Sequence, residues 1–159
     1  MKQKLLLAGL LVLASTQVQA KEKWYEYKHL YIQAGTYIHF SSSEDHEGSN
    51  LLIGLEAVKR NNWLYGLALF DNSFGQFSQY AYLGKNWNFS GKLENFHAKL
   101  TAGVIHGYKK PWDDKIPFNS KNGWAPGLIP SIGYKKGRFG VEIMLLGNSG
   151  LLFAMGTDF

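Results

Sequence analysis

From residue 28 onward, apolar and polar side chains alternate with a period of two. In LLFAMGTDF, Leu151, Phe153, Met155, Thr157 and Phe159 fall on one face, and Leu152, Ala154, Gly156 and Asp158 on the other. RFGVEIMLL sets Phe139, Val141, Ile143 and Leu145 against Arg138, Gly140, Glu142 and Met144, while FHAKLTAGV sets Phe96, Ala98, Leu100, Ala102 and Val104 against His97, Lys99, Thr101 and Gly103. LLIGLEAVK repeats the pattern, with Leu51, Ile53, Leu55 and Ala57 opposite Leu52, Gly54, Glu56 and Val58. Each segment has one large apolar face and one small or polar face, which is what a strand with lipid on one side and a lumen on the other requires. Eight segments qualify, over 28–41, 49–59, 62–71, 76–88, 95–106, 125–135, 138–146 and 149–159. The predicted fold is all-β: an eight-stranded antiparallel transmembrane β-barrel, narrow enough for its interior to be filled by side chains or one ligand.

The first twenty residues, MKQKLLLAGLLVLASTQVQA, break the alternation: two lysines, an apolar run from Leu5 to Ala14, then small and polar residues up to Ala20. This is the pattern of a secretory signal peptide, and the run is too short to span a bilayer, which takes roughly 20 residues. The expected organisation is a signal peptide over 1–20 and an outer-membrane barrel over 21–159, in a Gram-negative cell. Lys2 and Lys4 leave with the leader, so the formal charge falls from +5 to +3. Export and the scarcity of basic clusters beyond Lys109-Lys110 and Lys135-Lys136 argue against a nucleic-acid partner. The chain has no cysteine, which removes disulfides and thiolate nucleophiles, so covalent chemistry falls to oxygen and nitrogen. A single chain closes such a barrel, and a monomer is expected.

An even strand count puts both termini on the periplasmic side. The short links KRNN, NFSGKLEN and YKKGR then become periplasmic turns, and SSSEDHEGS, DNSFGQ, HGYKKPWDDKIPFNSKNGWAP and GNSG become extracellular loops. Alternation carries His39 into the lumen with Tyr31, Gln33, Gly35 and Tyr37, near the outer mouth. Asp71, Asn72 and Ser73 follow the third strand at the same height. A histidine, a hydroxyl and a carboxylate at one rim supply a proton acceptor and groups to orient it, although serine, asparagine and aspartate also occur in hairpin loops because they satisfy local backbone groups. His46 lies among Glu44, Asp45 and Glu47 in a loop and is the weaker candidate. No close histidine pair gives metal-ligand spacing, and neither a metal nor another cofactor is expected.

These stretches resemble the outer-membrane phospholipid:lipid A palmitoyltransferases (PagP). YIQAGTYIHF resembles that family's first strand, LYGLALFDNSFGQ its third strand and catalytic loop, and ENFHAKLTAGV and LIPSIGY its fifth and sixth strands. The resemblance implies a catalytic histidine at His39 and a catalytic serine at Ser73. The family's aspartate directly precedes its serine, where this chain has Asn72; Asp71, one position earlier, is taken for the role, with Asn72 second. Gly84 matches a glycine that floors the family's acyl pocket, or it serves barrel curvature. That family admits lipid sideways where prolines interrupt strand pairing, and Pro130, followed by Pro126, is expected to open one such gap between the sixth and seventh strands because proline cannot donate to the ladder. Gln33 replaces a gate proline, and the short KEKWYEYKH replaces an amphipathic helix, leaving Trp24 and Tyr25 as interface aromatics.

The resemblance implies a lipid A acyltransferase that takes a palmitoyl-like chain from a phospholipid donor and places it on a hydroxyl of the lipid A acceptor. Such a change to lipopolysaccharide tightens the outer leaflet and favours resistance to antimicrobial peptides. Two alternatives stay open. A lipid A deacylase or phospholipase barrel would use the same residues with water as acceptor. A non-catalytic structural or adhesive barrel would have its lumen filled up to the mouth, with no cavity from Gly84 to His39.

Overall fold

The computed structural model describes residues 27–40 and 49–159. The leader over 1–20, Trp24, Tyr25 and His46 lie outside the described residues. Eight strands, β1 (Tyr27–His39), β2 (Leu51–Lys59), β3 (Trp63–Asp71), β4 (Phe77–Asn88), β5 (Phe96–His106), β6 (Trp124–Lys136), β7 (Phe139–Leu145) and β8 (Gly150–Asp158), run antiparallel in sequence order. β8 pairs back onto β1 and closes the barrel. Among the described residues no helix is long and apolar enough to cross a membrane; this architecture crosses with strands instead.

The barrel has a turn end and a loop end. At the turn end β2–β3, β4–β5 and β6–β7 are joined by short links, the last by Gly137 and Arg138 alone, where the left-handed φ of +63° at Gly137 suits a residue without Cβ. At the loop end the β5–β6 connection spans residues 107–123.

Polarity is inverted relative to a water-soluble protein. Leu83, Leu128 and Met155 are each more than 60% exposed on the outer surface, whereas Gln33, Glu56, Lys99 and Glu142 are buried in the lumen. An apolar belt of this extent around a polar interior suits hydrocarbon outside. Because the strands close on themselves, every strand has a hydrogen-bonded neighbour on both sides over most of the barrel wall.

Two layers fill the lumen. Toward the turn end Lys99 Nζ donates to Glu56 Oε1 at 2.8 Å and to Glu142 Oε2 at 2.7 Å. Tyr82 and Gln33 also donate to Glu56, at 2.9 and 3.3 Å, and Ser131 donates to Glu142 at 2.8 Å. Six strands thus contribute to one network, which offsets the desolvation of its charges. Below it a cavity of about 80 Å³ meets a vestibule of about 320 Å³ at the turn-end mouth, both lined by Lys28, His29, His97 and Lys135. Toward the loop end the filling is apolar and aromatic, with Tyr37, Leu52, Ala68, Tyr80, Met144 and Leu152 in one cluster. Tyr80 and Tyr82 stack with centroids 4.7 Å apart, and Tyr82 covers Gly66, where a Cβ would come within 2.6 Å of the phenol ring.

Two ladders stop short at the loop end. β5 pairs with β6 from Trp124 to Tyr134, but β7 pairs with β6 only from Ser131 to Lys136. The stretch 124–130, holding Pro126 and Pro130, has no β7 partner, in keeping with residues that cannot donate to a ladder. On the other side, Tyr37, Ile38 and His39 pair with β8 beyond the point where β2 leaves β1.

Candidate active site at the loop end

His39 ends β1 on the lumen-facing parity, and its partner across the closing seam is Gly150 of β8. Its ring meets the Tyr37 ring edge to face, with centroids 5.1 Å apart and an interplanar angle of 76°. Nε2 of His39 lies 2.6 Å from Oγ of Ser73, which is 8% exposed. The structure therefore joins the histidine and the hydroxyl proposed from sequence, although they come from strands that are not neighbours.

The β3–β4 loop is built to hold Ser73 in place. Asn72 is fully buried; its Oδ1 accepts from the main-chain N–H groups of Phe74 and Gln76, both at 3.0 Å, and its Nδ2 donates to Gln76 Oε1 at 3.3 Å. Gln76 then spans to the β5–β6 loop, donating to the Lys109 carbonyl and accepting from the Lys109 N–H, each at 3.0 Å. Phe74 stacks on Trp112 of the same loop, with centroids 4.5 Å apart. Asn72 thus organises the turn beside Ser73 by satisfying its backbone donors.

Asp71 occupies a different place from the one expected. The β3–β4 ladder is unbroken from Trp63 and Lys85 to Asp71 and Phe77, with no local shift, so alternation puts Asp71 on the outward side with Leu67 and Leu69. Its carboxylate accepts from Ser49 Oγ at 2.7 Å, and its main-chain carbonyl accepts from the Tyr37 hydroxyl at 2.7 Å. Tyr37 thereby ties β1 to the start of the β3–β4 loop. Sequence reading passed over this residue, because its inward parity marks it only as lumen filling. Nearby, burial beside Tyr37 pushes the Tyr108 phenol up from its ordinary range and keeps it neutral.

Gly84 faces the lumen, but the space above it is taken. A Cβ there would lie 2.8 Å from both the Leu100 carbonyl and Thr101 Cγ2, and 3.1 Å from Leu64 Cδ1. The glycine thus admits close packing between β4 and its neighbours. Tyr80 and Tyr82 stand on the same face of β4 between Gly84 and the loop end. Gln33 points inward to Glu56. Pro130 lies on the outer surface within the stretch of β6 that pairs with β5 but has no β7 partner. Among the described residues, no group of three or more His, Asp or Glu side chains is placed to hold a metal ion.

No family model matches the chain, and no curated protein matches it. Among solved structures the barrel is similar to one described as "De novo design of transmembrane beta-barrels", with a TM-score of 0.60 at 10% identity. The match covers 84% of this chain and 98% of that one. At that identity the likeness is one of fold, and together with the inverted polarity it makes this chain a closed eight-stranded antiparallel transmembrane β-barrel.

Proposed function

We propose that the barrel is a lipid A acyltransferase of the outer membrane, which moves a palmitoyl-like chain from a glycerophospholipid to a hydroxyl of lipid A. The observation that carries this reading is the 2.6 Å contact between His39 Nε2 and Ser73 Oγ at the rim. In the reaction the acceptor hydroxyl takes the place of Ser73 at Nε2 and gives its proton to His39 as its oxygen attacks the donor ester carbonyl. Ser73, freed from the ring, donates its O–H to the developing oxyanion. The intermediate collapses by breaking the bond to the glycerol oxygen. That oxygen recovers the proton from His39 and leaves as the lysophospholipid hydroxyl, while the acyl group stays on the acceptor. The wall opening along 124–130, with Pro126 and Pro130, supports lateral passage of a lipid from the bilayer.

A non-catalytic barrel is the second reading. It is favoured by the packing of Tyr37, Leu52, Tyr80 and Leu152 below the pair, since a long chain enters only if these side chains move. Lipid A mass spectrometry from cells expressing wild type, His39→Ala and Ser73→Ala separates the readings, with heat-modifiable mobility showing that each variant folds. Acyl transfer expects a chain-sized mass gain with wild type that is lost in the folded variants. A mass loss instead assigns water as the acceptor and a deacylase. Unchanged lipid A with folded wild type leaves the barrel without this activity.

A further inference from the structure

Among the described residues, four buried side-chain oxygens have no hydrogen-bond partner: Gln33 Oε1, Asn50 Oδ1, Asn86 Oδ1 and Asn119 Oδ1. The surroundings account for three of these amides. Gln33 Nε2 donates to Glu56, Asn119 Nδ2 donates to the carbonyls of Tyr108 and Asp113, and Asn86 lines the turn-end cavity. Asn50 is different, because no described residue hydrogen-bonds to its carboxamide. A buried acceptor without a donor costs stability, and backbone conformation does not explain it. Asn50 has a left-handed φ of +55°, which glycine would adopt without burying a polar oxygen.

Its place in the barrel ties it to the rim site. Leu51 pairs with Thr36 of β1 and Leu52 with Phe70 of β3, so Asn50, nearer the rim, lies between Tyr37 and Asp71. The Tyr37 hydroxyl crosses this end of β2 to reach the Asp71 carbonyl at 2.7 Å. The Tyr37 ring supports the His39 imidazole, which contacts Ser73. Ser49 and Leu51 are exposed, and Ser49 donates to the outward carboxylate of Asp71. The buried Oδ1 of the residue between them is therefore on the lumen side.

We infer that Asn50 selects the acyl acceptor, its Oδ1 accepting a hydrogen bond from the O–H or acylamide N–H next to the reacting hydroxyl on the lipid A sugar. This role rests on the acyl-transfer reading and adds to it a residue that tells a sugar from water. His39 takes the proton of the reacting hydroxyl and Ser73 serves the oxyanion, so neither fixes how the rest of the acceptor is turned. A sugar carries a second donor at a distance set by its ring, and a single water held at His39 does not. A buried acceptor that is paired with one and left unpaired with the other discriminates between them.

The test uses the full chain folded in detergent, with labelled dipalmitoyl phosphatidylcholine as donor and lipid A as acceptor. Labelled lipid A reports transfer, and free palmitate from the same reaction reports hydrolysis. Asn50→Gly keeps the left-handed turn and removes the carboxamide. It should raise KM for lipid A about tenfold and shift the product toward palmitate, with heat-modifiable mobility retained. Asn50→Asp, which keeps an acceptor oxygen and tolerates the same φ, should return KM to within about threefold of wild type. A wild-type KM and product ratio in folded Asn50→Gly overturns the assignment, since glycine meets a purely conformational role. Transfer and hydrolysis falling together overturns it as well, as does Asn50→Asp no better than Asn50→Gly. Wild type that releases only palmitate, or acts on neither lipid, overturns the acyl-transfer reading and this role with it; failure of the role alone shows only in the variants.

Discussion

Replacing Lys99 with methionine removes the ammonium that two buried carboxylates share while keeping most of the side-chain volume. Two charge-assisted bonds go, at 2.8 Å to Glu56 and 2.7 Å to Glu142. Such bonds contribute about 1.5–3 kcal/mol each, and removing one partner of a buried ion pair destabilises by about 3–5 kcal/mol. Glu56 keeps Tyr82 and Gln33 as donors and Glu142 keeps Ser131, while the cavity below gives water access to both. These factors favour the lower part of that range, about 3 kcal/mol. The assay is reversible urea unfolding in lipid vesicles, read by tryptophan fluorescence. A companion variant, Lys99→Met/Glu56→Gln/Glu142→Gln, removes the stranded charges and should recover most of the loss, to within about 1–2 kcal/mol of wild type. A single variant within about 1 kcal/mol of wild type, or a triple variant no more stable than the single one, would refute the reasoning that the cluster matters through paired charge.

Tyr37→Phe removes the donor to the Asp71 carbonyl and should lower stability by about 1 kcal/mol, with acyl transfer falling further than stability; equal transfer at matched folded fraction would sink the latch. Asn72→Ala should cost about 1–3 kcal/mol through its stranded loop N–H groups, whereas Asn72→Asp, which keeps the acceptor, should be nearer wild type in the same unfolding assay. Tyr82→Ala opens lumen space between Gly84 and the rim. In a transfer assay with donors of graded chain length, it should move the preference toward longer chains, each buried methylene contributing about 0.8 kcal/mol; an unchanged profile would place the chain elsewhere. On the acyl-transfer reading, His39→Gln should abolish transfer while leaving the unfolding free energy within about 0.5 kcal/mol of wild type, and retained transfer would remove His39 from the chemistry.

The strands were legible because the lumen and the bilayer impose opposite polarities on alternate residues. Segment bounds read from RFGVEIMLL or LLIGLEAVK fall within two residues of β7 and β2. The same parity placed His39 inward at the rim, and the even count of strands brought the loop carrying Ser73 to that rim. Asp71 shows the limit of carrying a role over by adjacency, since one position of offset in an unbroken ladder changes the face on which a side chain lies. Tyr80 and Tyr82 were readable as inward residues, yet whether they leave a well depends on how rings from β4 meet Gly66 and Thr101 on the flanking strands and pack in one cluster with Leu152 of β8. That packing is set by side-chain shape inside the closed lumen, and a period of two does not encode it. The bracing of Gln76 on Lys109 joins two loops with no regular pattern and left no signal to read.

The seam between β1 and β8 has a kinetic meaning. His39 meets Gly150 on one side and reaches Ser73 on the other, so the histidine is in place only when contacts between distant parts of the chain have formed. Closure of a loop that long is a late event in folding. A partly assembled sheet, with β2 to β7 already paired, would carry the serine loop and yet lack the strand neighbour that fixes the imidazole. On the acyl-transfer reading, the His39–Ser73 pair is therefore withheld until the ring is complete, and assembly itself is the step that switches the site on.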